Sequence, residues 1–154
     1  LSDNEKLFDF IISDLPDPNN NSLARLYSKQ FYELIRGNLS EDGVFVTQAT
    51  SPYFATDAFW SINKTIETSG FDYVLPYHAS VPSFGDWGFV MASSVQKDIT
   101  KPDVAVDTKF LGTNNFASLF VFEKDIQSKD VAVNQLDQPV LLNYYLKGWK
   151  YYAR

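Results

Sequence analysis

The chain has no cysteine, so disulfides and thiolate metal sites are excluded and the redox compartment leaves no mark. It has one histidine, His78, which rules out a histidine metal cluster; no metal site is expected. Any Ser-His-Asp arrangement would have to use that same residue. Positive charge is in short supply: 13 Lys and Arg face 19 Asp and Glu, for a formal net charge of -6. Such a chain is a poor electrostatic partner for nucleic acid and attracts cations instead. No apolar run approaches the ~20 residues of a membrane span, and no signal-peptide pattern is present. Neither G-x-G-x-x-G nor G-x-x-x-x-G-K occurs, so the chain carries no phosphate-cradling glycine turn of its own.

What is present is ample for a core. The 154 residues are 45% hydrophobic and 21% charged, the balance of one folded domain rather than a disordered segment. Aromatic residues reach 16%, enough to build core and also to line a pocket with rings. Leu7 to Ser13 is a short apolar run, which predicts a central parallel strand buried on both faces. Tyr27, Phe31 and Ile35, with Leu34 and Leu39, predict one amphipathic helix from about Leu23 to Leu39, after a turn capped by Ser22. Glu41-Asp42-Gly43 reads as a tight turn and Val44 to Thr47 as a second strand ending at Gln48. Thr56 as N-cap, Phe59, Ile62 and Ile66 as a face and Gly70 as terminator predict a second helix. Phe71 to Val81 and Trp87 to Ser93 read as an antiparallel hairpin around a turn at Pro82 to Asp86. A helical start capped by Thr113 or Asn114 follows. A C-terminal helix from Pro139 to Trp149, with proline in its first turn, completes the chain.

Strand, helix, strand, helix, strand, strand and helical tail is an α/β order. It matches the C-terminal half of a Rossmann-like, class I methyltransferase-type sheet: two parallel strands with crossover helices, then an antiparallel hairpin. The expected division is 1-95 for this half-domain and 96-154 for an extension packed on it.

The chemically suggestive stretch is F-D-F-I-I-S-D-L-P-D-P, Phe8 to Pro18. An apolar strand stops at Asp14, and Asp17 follows three residues later against Pro18. Ligands of open α/β sheets bind at this end of the strands. One carboxylate could take a proton from a nucleophile while the other holds a cation. Spacing alone favours the structural alternative, in which Asp14 caps the loop and Asp17 starts an Asx turn.

The D-L-P-D-P loop on its F-D-F-I-I-S strand resembles the aspartate loop of spermidine synthases, the polyamine aminopropyltransferases. Further segments are similar in the same order: L-A-R-L-Y-S-K-Q-F-Y, E-D-G-V-F-V-T-Q-A and V-P-S-F-G-D-W-G-F-V-M-A-S, with F-L-G-T-N-N-F-A-S-L-F-V-F more loosely. S-P-Y-F-A, F-W-S-I and P-V-L-L-N-Y-Y resemble a bacterial branch whose members carry transmembrane segments before the catalytic domain. The resemblance implies transfer of an aminopropyl group from decarboxylated S-adenosylmethionine to a diamine such as putrescine, giving spermidine and methylthioadenosine. No permanently bound cofactor is implied; the nucleoside donor is a co-substrate. Asp14 matches the family's proton acceptor. Asp17 matches the acidic residue that holds a polyamine ammonium, with Trp87 and Phe84 on the polyamine wall, where cation–π contact has a physical basis. Phe84 keeps the ring of a tyrosine common in the family and lacks its hydroxyl. Gln48, Leu15 and Pro16 fall on the donor side. The loop is shorter than usual after Pro18, with Asn19-Asn20-Asn21.

The resemblance also implies that the donor-binding glycine turn and its acidic ribose partner belong to an N-terminal half this chain does not contain. The isolated chain is therefore expected to be inactive. It is expected to pair through its first strand with that missing half and to self-associate. Its expected place is the cytoplasmic face of a bacterial membrane, anchored by segments outside these residues. An S-adenosylmethionine-dependent methyltransferase and a non-catalytic polyamine-binding domain are the competing readings. Methyltransferases acting on amines commonly show a D-P-P-Y loop where this chain has D-L-P-D-P. Among other residues, Gln48 either caps its strand or borders the cofactor pocket. Ser51 and Tyr53 follow it in the same crevice. His78 reads as structural, and Phe59 and Trp60 as core.

Overall fold

The computed structural model describes residues 6–99 and 105–152. Four strands form one mixed sheet, in the order β1 (Phe8–Ser13), β2 (Leu39–Gln48), β4 (Gly85–Ser93), β3 (Tyr73–Val81). β1 and β2 run parallel, and β4 lies antiparallel between β2 and β3. The expected half-sheet, with crossover helices before an antiparallel hairpin, is the fold observed.

Helices α2 (Lys29–Gly37) and α3 (Thr56–Glu67) cover one face of the sheet. Phe45, Val90 and Ala92 from the strands meet Tyr32, Ile35, Phe59, Ile62 and Ile66 from the helices in the core. Period-2 alternation explains the sidedness: Val44, Val46, Phe89 and Met91 point the other way and are only partly buried. Among the described residues, no helix is long and apolar enough to cross a membrane.

Several sequence expectations are corrected by tertiary context. β1 is an edge strand, paired with β2 alone among the described residues, and its outward residues are exposed: Phe10 at 54% and Ile12 at 66%. Its apolar sequence suits a strand flanked on both sides, and here one flank is open. The single helix expected from Leu23 to Leu39 is broken in two, α1 (Asn21–Arg25) and α2. Asn20, not Ser22, caps α1, its side chain accepting from the Leu23 amide. Ser28 caps α2, and the Lys29 amide donates to the Asn134 carbonyl rather than continuing a helical ladder.

Glu41 to Gly43 is not a separate turn but an irregularity within β2. Between the pairs Phe8↔Leu39 and Phe10↔Val44, β1 advances two residues and β2 advances five. Gly43 belongs there because a Cβ would lie 2.9 Å from the Phe8 carbonyl oxygen. Ala55 occupies the N-cap position of α3 and Thr56 is its first residue, with the Thr56 hydroxyl donating to the Pro52 carbonyl at 2.7 Å. Gly70, at φ +87°, stands beyond the helix end, as its role of terminator requires. Gly112 precedes α4 (Thr113–Phe116) as its N-cap, and a 3-10 turn (Ala117–Phe120) follows.

The C-terminal helix α5 is Leu141–Tyr152, so Pro139 precedes it instead of sitting in its first turn. α5 packs on the start of α3, where Gly148 lets the two backbones touch: a Cβ there would be 2.6 Å from the Phe54 carbonyl oxygen. Trp149 stacks on Phe54 with ring centres 5.0 Å apart. The buried Asn134 ties this region to the core, donating to the Ala24 carbonyl at 2.7 Å and accepting from the Leu141 amide at 3.2 Å.

Candidate active site

β1 ends in the loop Asp14 to Pro18, and three side chains hold that loop in place. Thr47 donates to the Ser13 carbonyl at 3.1 Å. Tyr27, fully buried, directs its hydroxyl at the carbonyls of Leu15 (3.2 Å) and Pro16 (3.0 Å). Gln48, at the end of β2, donates to the Leu15 carbonyl at 2.6 Å and to the Tyr27 hydroxyl oxygen. Its carbonyl oxygen accepts from the Thr50 amide at 2.9 Å and from Trp87 Nε1 at 3.2 Å. An amide has two N–H donors and two acceptor sites, so all four are engaged by protein. Gln48 therefore joins the aspartate loop, the end of β2 and the aromatic wall on β4, with no polar capacity left over.

The loop and the face of the sheet opposite α2 and α3 bound a cleft of about 670 Å³. Asp14, Leu15, Pro16, Asp17, Gln48, Phe84 and Trp87, the seven site residues expected from the sequence, all line it. Phe84 is 62% exposed at the rim and meets Trp87 edge-on with ring centres 5.4 Å apart. Tyr77, stacked on Phe89 at 5.3 Å, continues the wall. Aromatic walls with carboxylates at one end suit a slender cation on an apolar stem.

The two carboxylates sit differently. Asp14 is exposed and makes no hydrogen bond to another described residue, leaving both oxygens open to the cleft. Asp17 is half-buried, and its Oδ2 accepts from Tyr145 at 3.0 Å and from Thr50 Oγ1 at 3.4 Å. Burial raises the Asp17 pKa above the usual carboxylate value; the hydrogen bonds from Tyr145 and Thr50 oppose the rise without cancelling it. Burial, and then the nearby Asp17 charge, push Tyr27 and Tyr145 well above the ordinary phenol range, so both remain neutral donors.

Tyr27, Thr50 and Tyr145 were not singled out as site residues from the sequence. Tyr27 is indistinguishable there from the core positions Phe31 and Ile35. Tyr145 lies in P-V-L-L-N-Y-Y, whose similarity was visible without any hint of where the helix docks. Thr50 carries no signal at all. Ser51 and Tyr53 do not join the cleft. Ser51 is buried and donates to the Asp86 carbonyl at 2.7 Å, while Tyr53 faces a separate surface groove beside α5. Among the described residues, no group of three or more acidic, histidine or cysteine side chains is placed to hold a metal.

His78 follows Tyr77 on β3 and so points to the opposite face of the sheet. Nδ1 lies 2.7 Å from Asp86 Oδ1 and Nε2 lies 2.7 Å from the Val121 carbonyl oxygen. Both partners are acceptors, so both ring nitrogens are satisfied only in the imidazolium form. Burial on its own would lower the pKa, but the Val121 carbonyl and the Asp86 carboxylate hold it above 6.5. A raised pKa in the folded state gives stability that is complete below pH 6.5 and is lost as pH rises through the folded value. The melting temperature of the wild type should exceed that of His78→Asn most at pH 6, and the gap should narrow toward pH 8.5. A gap constant across that range would show that the clasp does not titrate.

Residues 1–104 match the profile of the spermine/spermidine synthase domain family. A polyamine aminopropyltransferase of Oceanobacillus iheyensis is 41% identical over 99% of the chain, and one of Leptospira interrogans is 40% identical over 97%. The chain spans about 30% of the length of each of these relatives. Among solved structures, the spermidine synthase of Thermotoga maritima aligns with 79% of the chain and 43% of its own, at TM-score 0.64 and 25% identity. A spermidine synthase in complex with the transition-state analogue AdoDATO shares the fold, at TM-score 0.57 and 22% identity over 66% of the chain and 38% of its own.

Proposed function

The chain belongs to the spermine/spermidine synthase family, and from that premise we propose that it forms the acceptor side of an aminopropyltransferase active site. The observation that carries this reading is the convergence of Asp14, Asp17, Trp87 and Phe84 on one cleft at the C-terminal end of β1 and β2. The reaction is a displacement. The lone pair of a primary amine attacks the aminopropyl carbon bonded to the sulfonium of decarboxylated S-adenosylmethionine. The carbon–sulfur bond breaks, its electron pair stays on sulfur, and methylthioadenosine leaves as a neutral thioether. The acceptor arrives as an ammonium, so Asp14 first takes one of its protons and frees the attacking lone pair; the product nitrogen remains charged as a secondary ammonium.

The donor brings its own leaving group, so the protein's share is orientation and proton removal. Asp14 suits the base because it is open and uncommitted. Asp17 suits the cationic, non-reacting end of the acceptor, because its carboxylate is fixed and partly desolvated, which strengthens its pull on a cation. Trp87 and Phe84 cover the methylene stem. Leu15 and Pro16 face the donor, while Gln48 acts on it by position, since its amide is already fully bonded. The exposed apolar edge of β1 supports pairing with a further strand from the rest of a longer protein.

The test supplies the full-length protein with decarboxylated S-adenosylmethionine and putrescine and follows methylthioadenosine and spermidine. Both should form in equal amounts, and neither should form with the isolated 154 residues. Methyl transfer from S-adenosylmethionine in their place would give the site to a methyltransferase. Saturable diamine binding without product would leave it a sensor.

A further inference from the structure

The two oxygens of Asp17 are not equivalent. Oδ2 accepts two hydroxyl hydrogen bonds, from Tyr145 at 3.0 Å and Thr50 at 3.4 Å, which fills its two acceptor sites. Oδ1 is covered from solvent and has no hydrogen-bond partner among the described residues. The hydroxyls come from different parts of the fold: Thr50 follows β2, and Tyr145 stands on α5, outside the segment matching the family profile.

Thr50 is held against its own preference. Its φ is +58°, a left-handed conformation that β-branched residues rarely adopt. The Gly88 amide donates to its carbonyl at 2.7 Å, and its own amide donates to Gln48 at 2.9 Å, so the strained backbone is fixed on both sides. Glycine would fit this backbone without strain, but it has no hydroxyl to offer Asp17.

A guanidinium meets a carboxylate through both oxygens, fork to fork, whereas an ammonium is a compact point charge that needs only one. With Oδ2 occupied by two hydroxyls, Oδ1 is the one oxygen Asp17 has left to pair with a cation. We propose that Tyr145 and Thr50 are specificity-determining residues: by occupying one oxygen of Asp17, they fit the site to an alkyl diamine and against a guanidinoalkyl amine of the same length. This rests on the reading above, in which Asp17 receives the non-reacting end of the acceptor.

The experiment compares kcat/KM of the full-length protein for putrescine and for agmatine, its four-carbon guanidino counterpart. The wild type should favour putrescine by roughly 100-fold or more, the scale on which a site built for one hydrogen-bonding pattern rejects another. Tyr145→Phe should narrow that ratio by about tenfold, through a higher KM for putrescine and better use of agmatine. Thr50→Gly, which removes the second hydroxyl and suits the left-handed backbone, should move it the same way and serves if Tyr145→Phe is poorly folded. Equal use of both amines by the wild type, or an unchanged ratio in both folded variants, overturns the proposal while leaving the transferase reading intact. No transfer to either amine by the wild type overturns that reading, and the proposal with it.

Discussion

Asp14→Asn in the full-length protein is expected to lower kcat for aminopropyl transfer by about 10²–10⁴-fold, the usual contribution of a positioned general base. The substitution keeps the shape of the side chain and removes its capacity to accept a proton. Asp14 is exposed and makes no hydrogen bond to another described residue, so the melting temperature should barely move, with stability changing by no more than about 0.5 kcal/mol. The pH dependence gives an independent check. An alkyl ammonium loses its proton unaided near pH ~10, so the deficit of the variant should shrink as pH approaches that value. A variant within threefold of wild-type kcat at pH 7.5 would remove Asp14 from the base role.

Gly88→Ala is expected to have the largest effect on stability. A Cβ at this position would lie 2.5 Å from two ring carbons of Phe59 and 2.8 Å from the Thr50 carbonyl oxygen. Neither neighbour can retreat easily. Phe59 is fully buried among Trp60 and Phe122, with ring centres 5.0 and 5.5 Å away. The Thr50 carbonyl accepts from Gly88 itself at 2.7 Å, and the Gly88 carbonyl accepts from Ala49 at 2.8 Å. Overpacking a rigid core costs about 1–3 kcal/mol and more where nothing yields, so a loss of about 3 kcal/mol is expected. In a chain of this size that lowers the melting temperature by roughly 6–12 °C. Gly37→Ala provides the contrast, since nothing lies within 4 Å of the added carbon on the exposed end of α2. It should be neutral or stabilising by about 0.5 kcal/mol. Equal melting temperatures for the two variants would mean that the close approach of Gly88 to Phe59 is not maintained in solution.

The two variants divide the molecule along a useful line. Asp14 was legible as a candidate because an apolar run ending in D-L-P-D-P is a local pattern that resembles a family's loop, and local patterns survive without coordinates. Gly88 was legible only as one glycine in a strand. Its importance depends on a ring that arrives from α3, 29 residues earlier in the chain.

The same divide runs through the secondary structure. The amphipathic spacing from Leu23 to Leu39 reports which side of the chain is apolar. It does not report that Asn134 takes the Lys29 amide and splits the helix. β1 has the composition of a strand enclosed on both sides, and composition cannot say that only one neighbour is present among the described residues.

By itself the sequence determined the α/β order, because that depends on periodicity and turn chemistry, and it offered the carboxylate loop with Trp87 and Phe84 as candidates through short motifs that resemble a family. The tertiary structure decided the state of each carboxylate. Asp17 is anchored by Thr50 and Tyr145, residues 33 and 128 positions away, and Gln48 spends its whole amide joining the loop to Trp87. Hydrogen-bond partners brought together by chain crossings leave no trace in spacing, and it is those partners that fix Asp17 by one oxygen and leave the other unpaired, while Asp14 has none among the described residues.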